Sequence, residues 1–282
     1  MKRKLGTLLI IALCFSAHAN NLNIKKGDKI MSNKEKVISL LNSIENKNTK
    51  PVEYINENRY IQHNLAVKDG LEGFGEILSK LPKDSAKVEV LRTFKDGDYI
   101  FTHTKYNFFG PKVGFDIFRF EDGKIVEHWD NLQEISKNSA SGRTQFDGDT
   151  KIIDIHKTDS NKELVSNFIN DILFAKDSSK IIKYISTKKY LQHNPNIKDG
   201  LSGLSEALDS LAKAGMPMIY EKNHMILGEG NFVLSVSEGK FMNKKVSFYD
   251  LFRIENKKIV EHWDTIEEIP VKSKWQNTNG KF

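Results

Sequence analysis

Two aspartates stand on strand-like segments that are otherwise apolar. Asp116 lies in the segment Phe-Asp-Ile-Phe-Arg, and Asp250 lies in the segment Tyr-Asp-Leu-Phe-Arg. Alternate side chains of a strand face the same side, so Asp116 shares its face with Phe118 and Phe120. An unpaired carboxylate is costly to bury, and burial raises the pKa of a carboxyl group towards neutrality. Such an acid suits general acid–base catalysis, although an Asp paired to Arg or His for stability alone gives the same pattern.

These acids belong to a long internal repeat. The string Lys-Ile-Val-Glu-His-Trp-Asp occurs at 124–130 and again at 258–264, and each copy follows its acid at the same distance. Upstream, Tyr-Ile-Gln-His-Asn at 60–64 is echoed by Tyr-Leu-Gln-His-Asn at 190–194, and Lys-Asp-Gly-Leu recurs after the same gap. The period is far longer than the ~20–50 residues of solenoid repeats, so the pattern predicts two tandem domains.

Histidines near these acids are candidates to orient the carboxyl group or to relay its proton. His63 in the first copy and His193 in the second lie where the second predicted helix passes into a loop. An imidazole that only caps the helix end is equally expected there. The other two lie on predicted strands, one in each copy and on different strands. The four histidines are His63, His103, His193 and His224.

Further polar and aromatic residues are predicted to contact a substrate. Tyr249 and Glu238 are assigned to the second pocket, which therefore has the richer set of candidates. Asn64 and Asn194 either fix their loop or bind a substrate carbonyl. The two tryptophans of the long repeated string, Trp129 and Trp263, either floor the pockets or belong to a core or dimer interface, since aromatic residues dominate both.

Composition and motifs exclude several classes of function. The formal charge is +6 among 43 basic and 37 acidic residues, and the cations form no cluster of the kind that a nucleic-acid groove needs. We expect no metal, because His-x-His, His-Glu-x-x-His and paired cysteines are absent from the sequence. No Gly-rich phosphate loop or nucleophile elbow is present, so no cofactor is predicted.

The first nineteen residues have the three parts of a secretory signal. Lys2-Arg3-Lys4 precede the apolar run 8–15, and Ala17-His18-Ala19 is a cleavage site. Cleavage would remove Cys14, the single cysteine, and the apolar run is too short to anchor the protein in a membrane. The expected location is periplasmic or secreted. A lipoprotein at Cys14 and a cytoplasmic start at Met31 are the alternatives.

The elements that must position these residues follow one order in each copy. Apolar periodicity predicts helices around 37–44, 51–57 and 71–81, followed by strands at 88–91, 98–103, 113–120 and 124–132. Ser32-Asn33 is a predicted helix cap, and Asp122-Gly123 is a predicted hairpin turn. The second copy repeats this order, with Asp159 or Ser160 as the cap of its first helix. The prediction is an α+β fold, with helices on one face of a curved antiparallel sheet.

The predicted domain organisation has five parts. A signal peptide (1–19) precedes domain 1 (32–137), a polar linker (138–161), domain 2 (162–270) and a C-terminal segment (271–282). Trp275 and Phe282 are too apolar for a free segment, so we expect them to dock on a domain surface.

The order of the motifs Tyr-x-Gln-His-Asn, Asp-Gly-Leu, Asp-x-Phe-Arg and Glu-His-Trp-Asp resembles the SnoaL-like branch of the nuclear transport factor 2-like superfamily. The resemblance covers both copies. It implies two cone-shaped domains, each with a pocket between sheet and helices. It also implies a range of functions: polyketide cyclases, dehydratases, isomerases, and binding or scaffold domains. Fold alone does not choose among them.

Two hypotheses therefore stay open at the level of the sequence, with a scaffold domain as a third. The first is a cofactor-independent enzyme for a small apolar carbonyl compound, in which Asp250 or Asp116 transfers a proton and His224 or His193 holds the acid. The second is a non-catalytic module that captures a small apolar ligand. The tandem layout also predicts that the domains pair with each other as a pseudo-dimer.

Overall fold

Each half of the chain contributes one five-stranded sheet with helices on one face. The computed structural model describes residues 31–82 and 85–282, so the predicted signal segment 1–19 lies outside the described residues. The first half contains, in order, α1 (Asn33–Asn46), β1 (Ile61–Gln62), α2 (Gly70–Lys80), β2 (Lys87–Asp96), β3 (Tyr99–Asn107), β4 (Pro111–Glu121) and β5 (Lys124–Glu134).

The second half repeats this arrangement. Its elements are α3 (Thr158–Phe168), α4 (Ile181–Tyr184), β6 (Leu191–Gln192), α5 (Gly200–Lys213), β7 (Ile219–Glu229), β8 (Phe232–Phe241), β9 (Lys244–Glu255) and β10 (Lys258–Glu268). The strand orders are β1-β5-β4-β3-β2 and β6-β10-β9-β8-β7, which are the same path in both halves. The predicted α+β fold with two curved sheets and N-terminal helices is therefore confirmed.

The four long strands of each sheet are antiparallel neighbours, as the hairpin signals predict. Asp122 and Gly123 both have positive φ values, of 47° and 74°, which a type I′ turn between β4 and β5 requires. The sequence did not reveal the fifth strand of each sheet. It has only two residues and pairs in parallel with β5 or β10, and two residues are too few for a periodic pattern.

Helix boundaries follow local capping more closely than apolar spacing. Ser32 caps α1 with a complete capping box, as predicted. The second predicted helix is a 3-10 turn, Lys50–Tyr54. The first helix of the second half begins at Thr158, four residues before the predicted boundary, and its cap is Lys157 instead of Asp159 or Ser160. Ser160 donates a hydrogen bond back to the carbonyl of Lys157 from inside this helix.

One face of each sheet carries its helices, and the other face packs against the opposite sheet. The helix-covered core of the first half includes Val37, Leu40 and Phe118, and that of the second half includes Val165, Phe168 and Phe252. Between the sheets, one apolar cluster joins residues of both halves: Phe94, Phe101, Phe115, Ile117, Trp129, Leu227, Phe232, Leu234, Val236, Tyr249, Leu251 and Trp263. Residues Ser32–Phe282 consequently form one compact unit.

Polar side chains tie the two sheets together inside this interface. Asn131 is fully buried and donates from Nδ2 to the carbonyl and the hydroxyl of Thr265, at 2.9 and 3.0 Å. It also accepts a hydrogen bond from Ser247. Gln133 accepts from the backbone of Ile266 at 2.8 Å. Among the described residues, no helix has the length and apolar character needed to cross a lipid bilayer.

We predict that Asn131→Ala lowers the free energy of unfolding by about 1–3 kcal/mol, because the buried partners on β9 and β10 lose their hydrogen bonds. Urea unfolding followed by tryptophan fluorescence measures the change. The control is Asn107→Ala at an exposed strand end, where we expect a change within about 0.5 kcal/mol. Equal effects of the two substitutions would contradict the assigned role of Asn131.

Candidate functional site

Two buried acids lie directly opposite each other on adjacent strands in each half. Asp116 on β4 pairs with Asp130 on β5, and Asp250 on β9 pairs with Asp264 on β10. All four side chains are at most 6% exposed and lie on the helix-covered face, since Asp116 alternates with Phe118. Like charges that face each other across strands are destabilising. Each pair therefore needs protons or positive charge nearby.

A histidine of the Glu-His-Trp-Asp string forms a hydrogen bond with the first acid of each pair. His262 Nε2 lies 3.0 Å from Asp250 Oδ1, and His128 Nε2 lies 3.3 Å from Asp116 Oδ1. Each imidazole also stacks on the phenylalanine opposite it on the neighbouring strand, Phe252 or Phe118. The sequence prediction missed both histidines as partners of the acids. Strand parity was a usable signal, because it places His128 on one face with Asp130.

A glutamine fixes the tautomer of each histidine. Gln192 Oε1 accepts from the backbone N–H of Asn194 at 3.0 Å, so this atom is the carbonyl oxygen of the amide. The same oxygen lies 3.0 Å from His262 Nδ1, which must therefore carry a hydrogen. One further hydrogen then lies between His262 Nε2 and Asp250. Gln62 makes the same two contacts in the first half, at 2.8 and 3.1 Å.

A tyrosine hydroxyl donates to the first acid of each pair, but it comes from a different strand in each half. Tyr106 on β3 donates to Asp116 at 2.6 Å. Tyr220 on β7 lies 3.3 Å from both oxygens of Asp250. Burial raises the pKa of both phenols well above its ordinary value, and the nearby carboxylate raises it further, so the hydroxyls remain protonated donors. Tyr106 and Tyr220 do not occupy equivalent positions of the two copies, so the repeat did not indicate either residue.

An asparagine holds the second acid of each pair. Asn194 donates from Nδ2 to Asp264 Oδ2 at 2.6 Å, and Asn64 does the same to Asp130 Oδ2 at 2.5 Å. These two asparagines are the predicted site residues that the structure brings together with the acids. The other oxygen of each of these acids, Oδ1 of Asp130 and of Asp264, is buried and has no hydrogen-bond partner among the described residues.

Electrostatics in the second half favour a proton on Asp264. Burial raises the pKa of Asp264; His262 lowers this pKa and Asp250 raises it, and the net shift is upwards. Burial alone would lower the pKa of His262, but its hydrogen bond to Asp250 and the charge of Asp264 outweigh burial and raise that pKa. These two shifts favour a proton on Asp264 and a proton on His262 beside Asp250.

A cavity of about 880 Å³ opens beside the site of the second half. Asn194, which binds Asp264, lines it, and so does Ile266, which follows Asp264 by two positions on the same strand face. Its other walls are largely apolar and include Leu211, Met218, Phe241 and Val246. A second cavity of similar volume, in the first half, lies around residues 52–58 and α2, and its lining does not include Asn64. Neither cavity is lined by the paired aspartates of its own half.

Two of the predicted catalytic histidines lie away from the acids, which corrects the sequence prediction. His63 stacks on Trp129 at 4.6 Å and contacts Glu127 at 3.0 Å. His193 likewise stacks on Trp263 and contacts Glu261. The next residues on these loops, Asn64 and Asn194, face the acids. The imidazoles of His63 and His193 face the opposite side of β5 and β10.

The remaining two predicted histidines are also displaced. His103 lies on the face between the sheets, stacked on Phe115 and 3.0 Å from Arg92. Burial and the charge of Arg92 lower the pKa of His103 well below its usual value, so this imidazole is neutral. His224 falls at a β-bulge and stacks on Phe282 at 4.0 Å. A strand irregularity of this kind changes the face that a side chain occupies, which strand position alone did not indicate.

The structure places four residues of the predicted substrate sites elsewhere, and for the two tryptophans it agrees with the alternative of a core position. Trp129 and Trp263 are buried between the sheets and do not floor the cavity. Tyr249 has the parity opposite to Asp250 and is buried in the same interface, where its hydroxyl has no hydrogen-bond partner among the described residues. Glu238 is half-exposed and lies 3.6 Å from His224. None of the four lines the cavity of the second half.

The same three side chains in each half have the chemistry to hold a divalent cation. Ligand atoms of Asp250, His262 and Asp264 all lie within 4.8 Å of one another, and those of the first-half set do too. In this structure, His262 and Asp250 use these atoms for a hydrogen bond to each other. The geometry thus serves proton sharing directly, whereas cation binding would require that bond to open.

The chain was compared with known proteins. No protein-family model and no curated protein matches the chain. Solved structures similar to it include an NTF2-like protein of unknown function from Cytophaga hutchinsonii, with 15% identity and a TM-score of 0.33, over 37% of this chain and 93% of that one. A polyketide cyclase candidate from Acidithiobacillus ferrooxidans is also similar, with 14% identity and a TM-score of 0.31, over 38% and 87%.

An epoxide hydrolase-like protein from Mycobacterium tuberculosis is similar at 16% identity and a TM-score of 0.31, over 36% of this chain and 82% of that one. At these scores the similarities carry no argument about activity.

We predict that the free energy of unfolding of Asp264→Asn, relative to that of the wild type, increases as the pH rises. Below the ordinary value of 3.8 the carboxyl group is protonated in both folded and unfolded chains. Folding raises the pKa of Asp264, so above pH 3.8 the folded chain keeps a proton that the unfolded chain has lost. The stability of the wild type therefore falls as the pH rises, until the pH passes the pKa of the folded state. Asparagine removes this loss. Urea unfolding between about pH 4 and pH 8 measures the difference.

The matched control for this measurement is Asp209→Asn on the exposed face of α5. Its stability relative to the wild type should not vary with pH over the same range. A flat difference for Asp264→Asn as well would show that this carboxyl group ionises in the folded protein as it does in the unfolded chain.

Proposed function

We propose that the second half is a cofactor-independent acid–base site for a small, largely apolar carbonyl compound. One observation carries the proposal: a buried acid with a free oxygen, Asp264, lies behind a residue that lines an apolar cavity. Carbonyl isomerisation, dehydration and aldol-type closure all need a proton removed or delivered beside a carbonyl group. They are the reaction classes that fit this site.

Asp264 replaces Asp250 as the residue that transfers the proton to or from substrate. Asn194 fixes one oxygen of Asp264 and leaves the other free to accept or donate a proton. His262 and Asp250 share the adjacent proton, and Gln192 keeps the imidazole in one tautomer. This pair stabilises the charge that appears on Asp264 during the transfer, because its proton can shift towards either partner. The raised pKa of Asp264 brings it closer to the range in which general acids and bases work.

The competing proposal is a binding module without catalysis, in which the same groups only orient a ligand. An apolar cavity with a few convergent polar groups is typical of both functions. A pure scaffold is less well supported, because the cavity of about 880 Å³ is large enough for a small ligand. Proton exchange on the ligand separates catalysis from binding.

The test uses 4-phenylbutan-2-one in D₂O, with deuterium uptake beside the carbonyl followed by NMR. We expect the wild type to accelerate exchange and Asp264→Asn to lower the rate by about 10²-fold or more, the usual contribution of a general acid or base. Asp130→Asn, the matched residue of the first half, is the control and should retain most of the rate. Added EDTA should leave the wild-type rate unchanged.

Other results of this experiment would favour the binding module or a cation site, or would exclude catalysis by Asp264. Thermal stabilisation by the ketone without exchange would support the binding module. Loss of exchange on addition of EDTA would assign the Asp–His–Asp set to a cation. Equal rates for the wild type and Asp264→Asn would end the catalytic proposal for this residue.

Export remains part of the proposal, on the basis of the three-part pattern in residues 1–19. Expression of the full chain in a bacterium with a Sec pathway should give a periplasmic protein whose mass corresponds to a start at Asn20. A cytoplasmic protein that retains residues 1–19, or one that starts at Met31, would contradict export.

A further inference from the structure

A glutamine of the first half reaches the cavity of the second half. Gln133 lies on β5, and its half-buried side chain is among those that line this cavity. Its Oε1 accepts a hydrogen bond from the backbone N–H of Ile266 at 2.8 Å, so the other end of the amide is Nε2 with its two hydrogens. Nε2 has no acceptor among the described residues. Gln133 therefore offers the cavity a hydrogen-bond donor that the fold itself does not use.

The matching residue of the first half is a glutamate, and its carboxylate is already occupied. Glu267 lies on β10 at the position that matches Gln133 on β5. Its Oε2 accepts from the backbone N–H of Leu132 at 3.2 Å, which repeats the contact of Gln133 with the backbone of the other half. The same oxygen accepts from Lys281 Nζ at 2.6 Å. In the first half, the chain itself thus supplies an ammonium group to this position.

Lys281 marks the place where a bound atom contacts both the glutamate and the second acid. The segment that follows β10 carries this lysine, and Asn277 holds the segment on the first half by donating to the carbonyl of Asn64 at 2.8 Å. Lys281 Nζ donates to the carbonyl of Asp130 at 2.8 Å and lies 3.5 Å from Asp130 Oδ1. A single atom therefore reaches Glu267 and Asp130 together.

The second half has no charged group that would bind a charged ligand at the matching place. No lysine or arginine of the described residues contacts Asp264, whose Oδ1 has no partner. The charged residues that line the cavity are exposed and paired with each other, Lys198 with Glu206 at 3.0 Å and Lys244 with Glu268 at 2.5 Å. Because an unpaired charge is costly to bury, the cavity suits a neutral ligand with a hydrogen-bond acceptor.

We propose that Gln133 donates to the carbonyl oxygen of the ligand and makes the cavity of the second half select a neutral ligand, where a glutamate would select an amine. The inference rests on the proposed function for the class of ligand. Lys281 lies beside Asp130 Oδ1 in the first half. By the same symmetry, an oxygen bonded to Gln133 lies beside the free Oδ1 of Asp264, and both halves of the chain contribute to one site.

The experiment measures the affinities of the full chain for 4-phenylbutan-2-one and for 4-phenylbutan-2-amine by NMR titration at neutral pH, where the amine is charged. We expect Gln133→Glu to bind the amine about tenfold or more tightly than the wild type does, because the carboxylate forms a charge-assisted hydrogen bond. The same variant should bind the ketone about three- to tenfold less tightly, because the amide donor is lost. The first half already holds a glutamate in this environment, so the variant should fold.

The matched control is Asn243→Asp, which makes the same change from amide to carboxylate. Asn243 is exposed and lies between two residues that line the cavity, but it does not line the cavity itself. Solvent screens an exposed charge, so both affinities should stay within about twofold of the wild type. Gln133→Met removes the amide without adding a charge. It should weaken binding of the ketone and leave that of the amine unchanged, and it decides the matter if Gln133→Glu does not fold.

Unchanged affinities in Gln133→Glu, or equal losses for both ligands, would overturn the role of Gln133, and so would a wild type that does not bind the ketone. Binding of the ketone that depends on Gln133 but is not accompanied by proton exchange would keep this inference and end the catalytic proposal. Proton exchange that does not change in either variant of Gln133 would keep the catalytic proposal and end this inference.

Discussion

Two carboxyl groups held face to face on neighbouring strands, away from water, constrain everything around them in this protein. The strand register places Asp116 against Asp130 and Asp250 against Asp264, and burial reduces the screening of their charges by bulk solvent. A folded chain can keep such a pair only if protons, hydrogen-bond donors or cations offset the repulsion. The surrounding histidine, tyrosine and asparagine supply those donors in both halves.

The two halves meet this constraint with the same donors but with a different net charge. The phenol comes from β3 in the first half and from β7 in the second, so the hydrogen bond is kept although the position is not. At the second acid, the first half adds an ammonium group and the second half does not. A carboxylate beside a buried cation favours ionisation, whereas one without a cation favours protonation. The two halves therefore differ in the charge that lies beside the second acid.

Contacts between the sheets make the halves depend on each other. Each sheet buries its second face against the other, and the segment that follows the last strand of one half binds the loop of the other half. The histidines and tryptophans that were predicted to line the pockets lie at this junction between the two halves. His63 and His193, for example, support the binding segments through Gly280 and Thr144.

The sequence by itself determined the fold class, the order of the elements and the face of each acid. Exact repetition, turn residues and period-two patterns are local signals, and they survive in a single chain. The pairing of the acids was not among these signals: a regular hairpin at Asp122-Gly123 would pair Asp116 with Trp129, and a bulge between Arg119 and Phe120 shifts the register so that Asp116 faces Asp130. Asn64 and Asn194 were named from the same repeat.

Only the tertiary structure decided which partners reach the acids. Bulges displaced His224 from strand parity, and packing of the second sheet made the face of His103 an interior. The contact of Lys281 with Asp130 joins residues 151 positions apart, and no period or motif encodes it. Such contacts depend on how complete sheets pack and on where connecting segments cross, and these are properties of the assembled chain that no short stretch of sequence contains.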